Sequence, residues 1–181
     1  MTDIERHLID TTEYFKDIGL TTFLIGSTLL QIVRVGEYKN RHQFDREINV
    51  GCRKEQLTNE MIKRIEKDFK RVQLNDGYII FGNQEKSFWE GGYFCLLGKF
   101  TKKEDMRVEY MGNNRGLYWD AKHLDRLQQI DYKGYKFYVP NYRIKWLETY
   151  FGKDWMEEDL SWNWSKARNC TDKELQDKLN K

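Results

Sequence analysis

No apolar run in this chain approaches the roughly 18 residues that a membrane-spanning helix needs. The N-terminus also lacks the basic-then-apolar layout of a secretory leader. Net charge is almost absent: 31 Lys and Arg against 29 Asp and Glu leave +2. No global field therefore draws the protein to nucleic acid or to an anionic bilayer, and phosphate recognition, if there is any, has to be local. Cysteine is scarce. Cys52, Cys95 and Cys170 are odd in number and far apart, which argues against a disulfide framework and for reduced thiols in a soluble, cytoplasmic protein. The three histidines, His7, His42 and His123, keep no metal-ligand spacing with one another or with the cysteines, so a zinc site is not expected. There is no internal repeat and no low-complexity linker, and 181 residues suit one domain, 1–181, with a proper core.

The informative stretch lies early. Phe23, Leu24 and Ile25 read as a short buried strand. Gly26-Ser27 closes it just where Leu29, Leu30, Ile32 and Val33 take up helical spacing. A strand that ends in Gly-Ser and opens a helix exposes unpaired backbone N–H groups beside a hydroxyl, a seat for phosphate. The plainer reading is that Ser27 caps the helix. From Phe44 to Gly51, polar and apolar residues alternate, so Asp45, Glu47 and Asn49 share one strand face while Ile48 and Val50 point into a core. Oxygen-bearing side chains two residues apart on a rigid strand suit a hard cation, Mg²⁺ or Mn²⁺. The solvated face of an edge strand would show the same alternation.

Elsewhere the pattern predicts an opening helix from a capping box at Thr2-Asp3-Ile4-Glu5, stopped at Gly19. A second helix is capped by Thr58 and carries Met61, Ile62, Ile65, Phe69 and Val72. Strands are expected at Tyr78 to Phe81, Tyr93 to Leu97 and Met106 to Met111. In the last of these Glu109 lies opposite Val108 and Tyr110. A hairpin follows around Lys133-Gly134 and ends at Pro140, then a short helix capped by Asn141 and stopped by Gly152. A further surface helix is expected after Thr171. Helices interleaved with strands in this order define an α+β fold.

Gly26, Ser27, Thr28, Leu29, Leu30, Arg34 and Gly36, followed by the carboxylate segment ending at Gly51, resemble the LicD/fukutin family of the nucleotidyltransferase superfamily. Tyr138-Val139-Pro140, Trp146-Leu147, Tyr150-Phe151-Gly152, Trp155-Met156 and Trp162-Asn163-Trp164 resemble that family's ending, so the likeness runs over roughly residues 20 to 165. It implies a nucleotidyltransferase-like mixed β-sheet with flanking helices. It also implies a metal-dependent transferase that moves a phospho-substituent, such as phosphocholine or ribitol phosphate, from a CDP-activated donor to a glycan or similar hydroxyl acceptor. On this likeness Gly26, Ser27, Thr28 and Arg34 bind nucleotide phosphate. Asp45, Glu47, Asn49 and Glu109 form the catalytic set, and Asp45, Glu47 and Glu109 hold Mg²⁺ or Mn²⁺.

Two questions stay open in the sequence. Without gaps, the family's catalytic Asp-apolar-Asp pair falls on Glu47-Ile48-Asn49, which removes one negative charge; slipped by two, the pair becomes Asp45 and Glu47. The missing charge also leaves a second class of function: a catalytically impaired relative that binds a nucleotide or a partner.

Overall fold

The computed structural model describes residues 1–37, 47–82, 94–110, 116–159 and 167. Asp45, the Trp162-Asn163-Trp164 element, Cys170 and the helix expected after Thr171 lie outside them.

Helix α1 (Asp3–Asp17) starts as its sequence predicts. The Thr2 hydroxyl accepts the Glu5 N–H, and the Glu5 carboxylate accepts the Thr2 N–H at 2.7 Å. Strand β1 (Thr22–Leu24) leads into α2 (Gly26–Val35), then come β2 (Glu47–Arg53), a single 3-10 turn (Lys54–Gln56) and α3 (Asn59–Asp68). The Thr58 side chain caps α3 by accepting the Met61 N–H. Strands β3 (Arg71–Leu74), β4 (Tyr78–Gly82), β5 (Phe94–Lys103), β6 (Met106–Tyr110) and β7 (Gly116–Asp120) follow. The chain then makes a helical turn α4 (Lys122–Asp125), the hairpin β8 (Gln128–Tyr132) and β9 (Tyr135–Val139), and α5 (Arg143–Phe151).

Seven strands form one mixed sheet in the order β1-β2-β5-β4-β3, with β6 on β5 and β7 on β6. Among the described residues only β2 and β5 run parallel, in the register Glu47↔Phe94, Asn49↔Leu96 and Gly51↔Gly98. Strands alternate their side chains, so this register sorts the sheet into two faces. Ile48, Val50, Cys52, Cys95, Leu97, Ile79 and Phe81 are buried on one of them. There Phe15 of α1 and Phe69 at the end of α3 pack their rings on Phe81, at 5.5 and 4.5 Å between centroids. The opposite face carries Glu47, Asn49, Gly51, Gly98 and Phe100. Trp146 of α5 reaches Phe100 at 5.7 Å, and α2 lies along β2.

Three details depart from the sequence expectation. Residues 69 to 72 do not continue α3. Phe69 turns extended and Val72 pairs with Phe81 in β3, because a sheet edge offers these two side chains the apolar contact that their helical spacing also suggested. Asn141 is not the residue that opens α5. Its Oδ1 accepts the N–H of Tyr142, which itself precedes the helix in the left-handed region at φ +55°. Strand β7 was not expected at all, though its Leu117, Tyr118 and Trp119 are buried.

Candidate active site

The site forms where α2 begins beside β2. The backbone of Gly26 is left-handed, φ +51°, and a Cβ there would approach Asn49 Cβ and Cγ to 3.3 Å. Glycine is thus needed for the turn and for the passage of the Asn49 side chain. Three hydrogen bonds fasten the junction: Ile25 N–H to the Asn49 carbonyl at 3.2 Å, Asn49 N–H to Thr28 Oγ1 at 2.8 Å, and Asn49 Nδ2 to Ser27 Oγ at 2.9 Å. The N-cap residue of α2, Ile25, has no side-chain hydrogen bond to the helix. The hydroxyl of Ser27 faces the strand, where it accepts from Asn49, and it sits in the first turn of the helix, whose leading N–H groups have no partner four residues back in the helix.

Glu47 lies two residues before Asn49 and so shares its face. Glu109 reaches the same face from β6, where it pairs with Phe100. Its carboxylate lies over Gly98, and a Cβ on that glycine would run into Glu109 Oε1. Gly51, across from Gly98, makes room in the same way for the rings of Phe23 and Phe100, which would meet a Cβ at 2.6 and 2.7 Å. Two facing glycines thus clear a hollow on the sheet, one filled by aromatic rings and the other by a carboxylate.

Glu109 is 5% exposed. Burial, and after it the negative charge of Glu47, raise its pKa from 4.5 to about 8. Two carboxylates on one sheet face, one of them buried near the other's charge and both offering oxygen donors only, have the chemistry a hard divalent cation takes up. Glu47 and Glu109 could hold one. Among the described residues no group of three His, Cys, Asp or Glu side chains stands ready for a metal, and Asp45 is outside them.

Other residues singled out in the sequence are placed differently. Thr28 is fully buried; its hydroxyl fastens α2 to β2, so its side chain does not line the cleft with Ser27. Arg34 sits about 10 Å further along the helix axis. Its guanidinium donates to the carbonyls of Trp155 and Glu157 at 3.3 and 3.2 Å, holding the segment after α5. Gly98 was missed because the predicted strand ended at Leu97, although an isolated glycine inside an apolar strand signals a close approach. A shallow cavity of about 470 Å³ lined by Lys54, Glu55, Thr101 and Lys102 lies past the C-terminal end of β2, the far end of that strand from Glu47.

A Gly-Ser turn into a helix, an adjoining strand with an acidic residue and a second carboxylate on a neighbouring strand sit within a mixed sheet flanked by helices, and the fold is nucleotidyltransferase-like. Among solved structures it is similar to the lincosamide antibiotic adenylyltransferase LnuA in a lincomycin-bound crystal structure, at TM-score 0.54 and 13% sequence identity over 78% of this chain and 84% of that one. At such identity the likeness speaks for the fold. No family model and no curated protein sequence matches the chain.

Proposed function

We propose that the protein is a metal-dependent transferase of the nucleotidyltransferase superfamily. It would take a CDP-activated donor and pass the phospho-substituent to a glycan-type hydroxyl. The observation that carries this reading is the placement of Glu47 and Glu109 on the same sheet face as the Ser27 turn, with the charge of Glu47 felt at a buried Glu109. In this reading Gly26, Ser27 and the first amides of α2 seat the donor phosphates, while Glu47 and Glu109, with Asp45 as the third carboxylate, hold Mg²⁺ or Mn²⁺. Such an ion supplies charge neutralisation on the phosphate oxygens. Glu109 keeps its proton near neutral pH when no cation is bound, so it must release that proton to serve as a ligand. Asn49 supplies no charge, and this favours a second reading in which the fold binds a nucleotide or partner without turning it over.

Product analysis separates the alternatives. The protein is incubated with Mn²⁺ and a panel of hydroxyl acceptors, with CDP-choline, CDP-ribitol or ATP as donor. CMP release from a CDP-linked donor is the expected result. Pyrophosphate release from ATP would move the assignment to nucleotidyl transfer, the class of the structural neighbour. Donor binding without any product would favour the binding protein, and neither binding nor product would end both readings.

A further inference from the structure

Ser27 presents its hydroxyl to Asn49, and the direction of that hydrogen bond has a chemical consequence. A serine hydroxyl has one hydrogen to donate and two lone pairs to accept with. Asn49 Nδ2 donates to Ser27 Oγ, so a lone pair is occupied and the hydroxyl hydrogen is directed elsewhere. The backbone of Asn49 is fixed on both sides. Its N–H is bonded to Thr28, its carbonyl accepts from Ile25, and its side chain rests against Gly26, which has no Cβ to push it aside.

We propose that Asn49 is a positioning residue, whose amide sets the Ser27 hydroxyl to donate its hydrogen to a phosphate oxygen at the start of α2. The proposal rests on the transferase reading above, since the phosphate belongs to the nucleotide donor. An aspartate at this position reverses the bond. A carboxylate only accepts, so Ser27 turns its hydrogen onto the strand, and the added negative charge faces the incoming phosphate. Asn49 is then more than a weakened metal ligand: it exchanges one charge at the cation for a directed donor at the anion. The two roles predict opposite signs for one substitution. Asn49→Asp should strengthen the hold on a cation and weaken the hold on a metal-free phosphate. A merely structural Asn49 would weaken both.

The test is calorimetric titration of wild type, Asn49→Asp and Ser27→Ala with three probes: pyrophosphate without metal, Mn²⁺ alone, and CTP with Mn²⁺. Ser27→Ala removes the same hydroxyl without altering β2, and so reads the proposal even if Asn49→Asp folds poorly. Expected is a loss of about tenfold in pyrophosphate affinity for both variants, with Mn²⁺ affinity kept or raised in Asn49→Asp. Equal pyrophosphate affinity in all three proteins, while CTP with Mn²⁺ still binds, would overturn the positioning role and leave the transferase reading standing. Parallel losses for pyrophosphate and Mn²⁺ in Asn49→Asp would also overturn it, as the mark of a structural residue. No binding of any probe by wild type would overturn both.

Discussion

At the residue scale, two buried glutamates are tuned in opposite directions, and each fixes a pH dependence. The folded protein keeps the Glu109 proton up to about pH 8, whereas an unfolded chain releases it near 4.5. The folded state therefore binds more protons in that window, and stability must fall as pH rises through it. Glu109→Gln should flatten this slope in metal-free urea titrations from pH 5 to 8.5; an unchanged slope would mean that another group carries it. Glu5 runs the other way. Burial alone would raise its pKa, but hydrogen bonds from Lys133, Tyr132 and the Thr2 backbone outweigh it and lower the value to about 2. Tyr132 donates to Glu5 Oε1 at 2.5 Å and Lys133 Nζ lies 2.7 Å from the same atom, so α1 is clasped to the β8–β9 hairpin. This contribution is fully present above pH 4.5 and is lost as pH falls through about 2. Glu5→Gln should cost about 2 kcal/mol at pH 7 and markedly less at pH 2, as read by denaturant unfolding at the two values.

At the scale of elements, the packing of β6 on its antiparallel neighbour β5 depends on the absence of one methyl group. Gly98→Ala should destabilise by about 1–3 kcal/mol through overpacking against Glu109, and Glu109→Ala in the same chain should restore most of that loss. Thermal unfolding of the two single variants and the double variant measures the coupling. Such contacts between strands explain what was legible in the sequence and what was not. Capping at Thr2 and Thr58, the alternation from Glu47 to Val50 and the Gly26-Ser27 turn are local, and local patterns carried them into the structure. The side of the sheet on which Glu109 lies could be guessed from its strand, but its contact with Gly98 joins residues of two strands and leaves no periodic mark. Arg34 shows the same limit. Its distance from Ser27 follows from helix geometry, yet its partners, the carbonyls of Trp155 and Glu157, lie more than a hundred residues on. Val72 misled in the reverse sense, because a spacing of three and four fits a helix and an edge strand equally when a ring such as Phe81 waits beside it.

At the scale of the whole molecule, α1 and α3 pack their Phe15 and Phe69 rings on one face of the sheet, while the other face carries Asn49, Glu47 and Glu109, with Ser27 of α2 bonded to Asn49 and Trp146 of α5 packed on Phe100. Arg34 ties α2 to the chain beyond α5 across that face. Arg34→Ala should speed amide hydrogen exchange at residues 153 to 157 with little effect on β2, and equal exchange in both proteins would remove this tie from the account. Arg34→Lys, which keeps charge but not the fork, should show an intermediate rate. The net charge of +2 provides no general attraction for phosphate, so nucleotide affinity must come from the few groups gathered on this face. The direct measurement is thermal stability of wild type, Glu47→Gln and Glu109→Gln with Mn²⁺, with CTP, and with both together. Wild type should gain several degrees only when metal and nucleotide are present together, and each variant should lose this gain while its ligand-free melting temperature stays at or above that of wild type. An equal gain in all three proteins would contradict a cation held by Glu47 and Glu109.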